Sequence, residues 1–347
     1  MKPNIFNIAT KELSQDAFIT WLLQWADIDN QQHDNLLHTC GQDFVRKLIA
    51  SQYHDTVSTI TKVEAGRQWK NIDVWAEINT PESNYLIIIE DKTFSSEHSD
   101  QLTTYKTSGE DYCAEHNFKL VCIYLKTGSE PERVLKAIRS KGFATFNRKD
   151  FVNFLSKYEN ISNHIYRDFT LRLENIEAEH NAFETMTIGN WDEPCWIGFY
   201  QLLEKEIEDV DWHYVNPPAG GGFWNACLSW VDWGGFPVCL TIEQGGLSFK
   251  ICTDPEEMSF EGDFDRGVKR NQWSNIILTY ANKVGLNEII RPDRFGSGKY
   301  MTAALVRRDN WLGNSTSIID KKATIERLKN YKEFLISCLK EQTTSIN

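Results

Sequence analysis

A short apolar run that ends in three charged residues constrains the fold of this chain most. Tyr85–Ile89 (YLIII) is continuously apolar, and Glu90, Asp91 and Lys92 follow it directly. A run of this length without polar alternation is typical of a strand buried on both faces, in a sheet covered by helices on each side. The run therefore predicts an α/β fold with charged side chains at the end of an inner strand.

The segments around this run predict the order helix, strand, strand, strand, helix, strand. The segment 71–79 alternates strictly, which is typical of a strand with one apolar face formed by Ile72, Val74, Ala76 and Ile78. The other predictions rest on apolar spacing and on turn residues. Helices are predicted over 8–29, 36–51 and 95–115, strands over 56–65, 85–89 and 118–125, and a turn over 66–70.

A shift in composition near Thr187 predicts a second domain. Of the 20 glycines, 15 lie from Gly189 onward, as do 8 of the 12 tryptophans. Strand-like runs alternate there with Gly-Gly pairs at 234–235 and 245–246, which favour hairpin turns. We therefore predict domains at 1–187 and 188–347, the second an α+β domain built on an antiparallel sheet.

Charge and composition exclude several classes of protein. The net charge of −12 argues against a protein that coats nucleic acid by charge alone. No apolar run approaches 18 residues, so no membrane association is expected. The N-terminal residues lack the apolar core of a signal peptide, and the eight cysteines are scattered without a CxxC pair. These features predict a cytoplasmic protein with reduced cysteines.

The polar residues near the apolar run suggest a metal site. Asp73 is out of phase with its apolar neighbours, and Glu90 and Lys92 share one face because side chains alternate along a strand. Two carboxylates beside an ammonium group suit Mg²⁺ or Mn²⁺ and a phosphate. The alternative is an ordinary salt-bridge set on an edge strand.

Three further polar residues make an ordinary salt-bridge set a less favoured interpretation than a metal site. Gln101 and Tyr105 lie four residues apart and so share one face of the following helix. Glu12 begins the apolar pattern of the first helix. His98 is near the cluster in sequence and is a weaker candidate for an assisting role.

Residues 12–105 resemble the PD-(D/E)xK nuclease superfamily, whose core has the order αβββαβ of restriction endonucleases. They resemble in particular a bacterial branch whose first helix opens with Glu and continues into F-x-x-W-L-L, here Glu12-Leu-Ser-Gln-Asp-Ala-Phe-Ile-Thr-Trp-Leu-Leu23. The superfamily aspartate corresponds to Asp73, with Ile72 in place of the proline that gives the motif its name. The (D/E)xK motif corresponds to Glu90-Asp91-Lys92, and the QxxxY motif of RecB-like members to Gln101 and Tyr105.

The resemblance implies roles for these residues. Asp73, Glu90 and the backbone carbonyl of Asp91 would bind Mg²⁺ (or Mn²⁺), and Lys92 would activate a water molecule. Gln101 and Tyr105 would position Lys92 or a phosphate, and Glu12 would act through a water molecule. Glu64, on the strand before Asp73, resembles an additional metal-binding acid of several members.

We therefore expect a metal-dependent nuclease that hydrolyses DNA, with a role in restriction or defence against foreign DNA. One alternative is a non-catalytic scaffold whose C-terminal domain binds a protein or nucleic acid, and another is an RNA nuclease. The second domain carries 17 Lys and Arg against 22 Asp and Glu, so we expect it to govern assembly or substrate choice without contributing a catalytic group. Formation of a homo-oligomer through this domain is one expected outcome.

Overall fold

The computed structural model of the 347-residue chain divides into two compact units, Met1–Ala178 and Glu179–Asn347. It describes residues 3–54, 57–93, 95, 100–216 and 220–344. The division comes before the predicted boundary at 187/188. Phe183 packs in the core of the second unit, in agreement with a division before the predicted boundary.

The first unit has the predicted order αβββαβ around a mixed sheet. Two helices precede the first strand, and the sheet order β1-β2-β3-β4-β5 follows the order of the chain. Strands β1, β2 and β3 pair antiparallel, whereas β3, β4 and β5 pair parallel. The helices are α1 (Glu12–Gln24), α2 (Asn35–Ala50), α3 (Gln101–His116), α4 (Glu132–Ser140), α5 (Arg148–Leu155) and α6 (His164–Asn181). The strands are β1 (Lys62–Trp69), β2 (Ile72–Asn79), β3 (Asn84–Lys92), β4 (Lys119–Lys126) and β5 (Ala144–Asn147).

Strand β3 is buried on both faces, as the apolar run predicts. Ile87 and Ile89 pack in a core with apolar side chains of α1 and α2, whereas Leu86 and Ile88 pack in a core with side chains of α3 and α4. Alternate residues of one strand thus serve two separate cores. This places the end of β3 between two layers of helices.

Two sequence predictions about the neighbouring strands need correction. Strand β1 continues through the predicted turn to Trp69. Gly66, where the turn is predicted to begin, instead pairs with Trp75 in the sheet, and a Cβ on Gly66 would lie 2.9 Å from the Trp75 indole ring. Ile72 packs with the α3 side of the sheet and not with Val74. It follows Lys70 and Asn71, whose positive φ values of 50° and 69° turn the chain sharply at the start of β2.

The helix predicted over 95–115 begins at Gln101. His98 lies outside the described residues, so its predicted role has no structural counterpart.

The second unit contains a separate antiparallel sheet in the order β10-β11-β9-β8-β7-β6. Gly234 and Gly235 form the predicted hairpin turn between β7 and β8, whereas the turn between β8 and β9 consists of Gln244 and Gly245, because Gly246 already pairs with Glu243. Gly234, Gly235 and Gly245 have φ values of 56°, 86° and 97°, which side chains with a Cβ rarely adopt. The strands are β6 (Asp211–Val215), β7 (Phe223–Trp233), β8 (Phe236–Glu243), β9 (Gly246–Cys252), β10 (Ile289–Ile290) and β11 (Tyr300–Val306). The helices are α7 (Glu193–Glu206), α8 (Arg266–Val284), α9 (Arg308–Trp311) and α10 (Lys321–Thr344).

The described helices fall short of what a membrane span requires. Over residues 3–344, apart from the gaps given above, none combines sufficient length with sufficient apolar character to cross a bilayer.

Candidate active site

The register of β2 and β3 brings Asp73 and Glu90 together. Val74 pairs with Ile89 at the end of the antiparallel ladder, and since Asp73 precedes Val74 while Glu90 follows Ile89, the two carboxylates lie beside each other on the same face of the sheet. Side chains directly opposite each other in an antiparallel pair have Cβ atoms about 5 Å apart. The two carboxyl groups interact directly, and Lys92 Nζ lies 2.5 Å from Glu90 Oε1. The three residues of the predicted motif therefore form one cluster.

Glu90 is the most strongly perturbed carboxylate on this face. It is 1% exposed, and apart from its ion pair with Lys92 no described donor forms a hydrogen bond to either oxygen. Burial, reinforced by the negative charge of Asp73, raises the pKa of Glu90 to about 8 even though Lys92 opposes the shift. A buried carboxylate with so few donors is a favourable place for a cation.

Lys92 is held in its charged form. Burial lowers the pKa of Lys92, but its ion pair with Glu90 and the charges of Asp73 and Glu12 outweigh that effect and raise the pKa above the usual value for lysine. The ammonium group is therefore a donor as long as the carboxylates around it keep their charge.

Asp73 is oriented by two hydrogen bonds. The backbone N–H of Asp91 donates to Asp73 Oδ2 at 3.1 Å, and Gln68 Nε2 donates to Oδ1 at 3.4 Å. The first of these bonds connects Asp73 to the (D/E)xK segment across the gap between β2 and β3.

Glu12 lies at the start of α1 and binds the chain just beyond β3. Its Oε1 accepts hydrogen bonds from the Thr93 backbone N–H at 3.0 Å and from Ser95 Oγ at 2.6 Å. Burial raises the pKa of Glu12, but these hydrogen bonds and the positive charges of Lys92 and Lys126 lower it overall. Glu12 is thus an ionised carboxylate beside the cluster.

An open cavity of about 470 Å³ adjoins Glu12. Its lining residues are Thr10, Lys11, Glu12, Leu13, Thr93 and Ser95. A second cavity of about 500 Å³ lies along α5 and α6, between Leu155 and Glu174, and contains none of the predicted site residues.

Gln101 and Tyr105 meet on one face of α3. Gln101 Nε2 donates a hydrogen bond to the Tyr105 hydroxyl, which in turn donates to the backbone carbonyl of Asn71 at 2.6 Å. Burial and the nearby charges of Glu90 and Asp73 raise the pKa of Tyr105, against the hydrogen bond from Gln101. The pair therefore supports the turn that leads into Asp73 and stays a neutral donor.

Asp91 and Glu64, the two other residues predicted to bind the metal, differ in their placement: the backbone of Asp91, which carries the predicted ligand, faces the cluster, whereas Glu64 does not reach it. The side chain of Asp91 points to the opposite face of β3, where Gln15 Nε2 donates to it, so only its backbone faces the cluster. Glu64 is exposed and pairs with Glu77, four residues from Asp73 along β2. At about 3.3 Å per residue this separation is about 13 Å. The structure does not bring Glu64 to the cluster.

This placement gives a prediction for Glu64. The variant Glu64→Gln should keep the cleavage rate within about twofold of the wild type, because surface substitutions away from a site have small effects. The measurement is the initial rate of metal-dependent DNA cleavage at saturating Mg²⁺. A loss of tenfold or more would show that Glu64 contributes to the active site.

Sequence reasoning missed a group of polar residues around the end of β4. Lys126 pairs in register with Lys92, and its Nζ lies 2.9 Å from Glu130 Oε2. Burial lowers the pKa of Lys126, against the opposing effect of Glu130. The available signal was the Lys-Thr pair that ends the apolar run 118–125, because neighbouring parallel strands end at the same edge of a sheet.

A second missed group lies behind β3. Asp16 on α1 interacts with Asp91, and burial together with the charge of Asp73 raises the pKa of Asp16 to about 6, although its hydrogen bond with Asp91 opposes the shift. The pKa of Asp91 is also raised, first by burial and then by Asp16. Two carboxyl groups this close share a proton more readily than they carry two charges.

The fold is consistent with that of restriction endonucleases, and comparison with protein families identifies the class. A family model of the PD-(D/E)XK nuclease superfamily matches residues 3–195, more than half of the chain. The chain belongs to this superfamily. No curated protein and no solved structure shows a significant match to the chain.

Proposed function

We propose that the protein is a metal-dependent nuclease that hydrolyses phosphodiester bonds of DNA with Mg²⁺ or Mn²⁺. The observation that carries the proposal is the position of Asp73 beside Glu90, just beyond the last pair of β2 and β3, with Lys92 next to them. Restriction of foreign DNA in the cytoplasm is the role we propose for this activity, and it rests on the superfamily alone.

The residues fit a divalent cation. Asp73, Glu90 and the backbone carbonyl of Asp91 offer the oxygen ligands that Mg²⁺ and Mn²⁺ prefer. Within the described ranges no three His, Cys, Asp or Glu side chains form a metal-binding group, so the proposed set consists of two carboxylates and a backbone oxygen. A bound cation would supply positive charge against the charge that develops on the phosphate.

The remaining residues orient the reactants and hold protons. A bound cation would compensate the charges of Asp73 and Glu90, which raise the pKa of Lys92. Burial, which lowers this pKa, would then have a larger influence on it. Lys92 Nζ is then suited to orient the attacking water and to accept its proton. Tyr105 holds the turn before Asp73, and Glu12 holds the segment after Lys92.

The direct test is cleavage of labelled circular and linear DNA with Mg²⁺, with Mn²⁺ and with EDTA. We expect products with either metal and none with EDTA. Lys92→Ala serves as the inactive control. Parallel reactions with single-stranded DNA and RNA distinguish the DNA nuclease from the RNA nuclease. A purified, folded protein that cleaves none of these substrates would favour the non-catalytic scaffold.

We further propose that the second unit governs assembly or substrate choice. Its exposed aromatic residues support this proposal. Trp230 and Tyr300 are 49% and 42% exposed, and their ring centroids lie 6.2 Å apart. Exposed apolar surface of this kind favours association with another protein surface or with a base.

A fragment that ends with α6 tests this division. Residues 1–181 should stay soluble and keep metal-dependent cleavage, because the cluster Asp73, Glu90 and Lys92 lies within the first unit. Its oligomeric state, measured by light scattering, or its substrate preference should differ from that of the whole chain. A folded but inactive fragment would show that residues after 181 contribute to the active site.

A further inference from the structure

A buried polar cluster lies on the face of β3 that points away from Asp73 and Glu90. Its members come from α1, from β3 and from the end of β4. Gln15 is 7% exposed, Asp91 0% and Thr127 1%. Because polar groups are costly to bury, the hydrogen bonds within such a cluster hold its members in fixed positions.

Gln15 is the centre of this cluster. Its Nε2 donates to Asp91 Oδ1 at 2.5 Å, and its Oε1 accepts a hydrogen bond from Thr127 Oγ1 at 2.6 Å. Both ends of the amide are therefore used, and the side chain connects the end of β3 to the end of β4.

The far end of this connection is itself anchored. The backbone carbonyl of Thr127 accepts a hydrogen bond from Arg148 Nη1 at 2.8 Å, and Arg148 Nε lies 2.9 Å from Glu177 Oε2. Gln15 thus holds Asp91 against a part of the unit fixed by α5 and α6.

Asp91 connects Gln15 to the cluster of Asp73, Glu90 and Lys92. Asp91 lies between Glu90 and Lys92, and its backbone N–H donates to Asp73 Oδ2 at 3.1 Å. A shift of Asp91 would move this N–H, the carbonyl proposed to bind the cation, and the side chains on either side. The position of Asp91 therefore affects every proposed ligand at once.

We propose that Gln15 is a positioning residue of the nuclease site, which holds Asp91 through its amide and so fixes the geometry of Asp73, Glu90 and the Asp91 carbonyl. This inference rests on the proposed metal-dependent function. The hydrogen bonds of the Gln15 side chain go to Asp91 and Thr127, so its effect on the cluster passes through Asp91. Partners that orient metal ligands in this indirect way typically contribute 10–100-fold to metal affinity or activity.

Two pairs of variants in the full-length protein test the proposal. Thr127→Val removes the hydroxyl that holds Gln15 while keeping a similar shape, and Thr127→Ser retains the hydroxyl. Gln15→Leu removes both hydrogen bonds of the amide. Gln24→Leu is its matched control, because Gln24 lies on the same helix and makes one exposed hydrogen bond, to the Ala65 carbonyl.

The measurements are Mg²⁺ affinity by calorimetry, kcat and KM for DNA cleavage, and unfolding by denaturant. We expect Thr127→Val and Gln15→Leu to weaken Mg²⁺ binding and lower kcat by about 10–100-fold, with KM for DNA within about threefold. Thr127→Ser and Gln24→Leu should stay within about twofold of the wild type in all three values. A merely structural role would reduce stability without this selective change in metal affinity and kcat.

Wild-type Mg²⁺ affinity and kcat in folded Thr127→Val would overturn the proposal, even if Gln15→Leu fails to fold. Equal losses in Thr127→Ser and Thr127→Val would also overturn it. If the wild type binds Mg²⁺ but cleaves no substrate, the proposed function fails, and the metal affinities of the four variants still decide the role of Gln15.

Discussion

Asp73→Asn, Glu90→Gln and Lys92→Ala should each lower the rate of DNA cleavage by about 10²–10³-fold or more while leaving the fold intact. Loss of one group that stabilises developing charge in a water-poor site typically has an effect of this size. Glu90 and Lys92 form one ion pair beside Asp73, so the three side chains act as a unit. The combined variant Glu90→Gln/Lys92→Ala should therefore lose little more activity than the worse of its two single variants.

The matched control is Glu77→Gln. Glu77 lies on the same strand and face as Asp73, but its carboxylate accepts a hydrogen bond from the Tyr112 hydroxyl and stands outside the cluster. Its cleavage rate should stay within about threefold of the wild type. Initial rates at saturating Mg²⁺ and circular dichroism of each variant make the comparison. Substantial cleavage by any of the three cluster variants would refute the assignment of that residue.

The metal-free protein should lose stability relative to Glu90→Gln as the pH rises from about 4.5 to about 8. Glu90 has a pKa of about 8 in the folded chain, against an ordinary value of 4.5. Within that window the folded state keeps a proton that the unfolded state has released, so the free energy of unfolding falls as pH rises. Each pKa unit corresponds to about 1.4 kcal/mol, so the full change is at most about 4–5 kcal/mol.

Urea unfolding of both proteins between pH 4.5 and 8.5, in EDTA, measures this difference. The variant lacks the titrating group, so the difference between the two proteins isolates Glu90 from Asp16 and Asp91, which titrate in both. Added Mg²⁺ at pH 8 should stabilise the wild type and have much less effect on Glu90→Gln, because binding to the folded state alone adds to its stability. A difference that stays flat across this pH range would show that Glu90 is not a buried, protonated carboxyl group in the folded protein.

Much of the cluster could be predicted from the sequence because strands have a period of two. The same alternation that places Ile87 and Ile89 on one face of β3 places Glu90 and Lys92 together on the other. Taken one step further, it also predicts that the side chain of Asp91 points away from them, as the structure shows. The order of elements followed from run lengths and turn residues, and the family match supports it.

The remaining features depend on tertiary distances that no local pattern contains. Gln15 and Thr127 are 112 residues apart, and only the docking of α1 against the sheet brings them together. Glu64 was predicted to bind the metal because it lies on the strand before Asp73. In the sheet, however, Glu64 pairs with Glu77, which is four residues away from Asp73 along β2. The register of the β1–β2 hairpin decided that outcome, and it depends on a strand that runs four residues past its predicted end at residue 65.

The double burial of β3 limits how this strand can change over evolutionary time. A single inserted residue between Tyr85 and Glu90 would reverse the facing of every residue on one side of the insertion. Glu90 would then point to the face of Gln15 and Thr127, and Ile89 would take its place beside Asp73. Such an insertion would disrupt the packing of β3 and the proposed metal site together, so β3 should tolerate changes of residue type far better than changes of length.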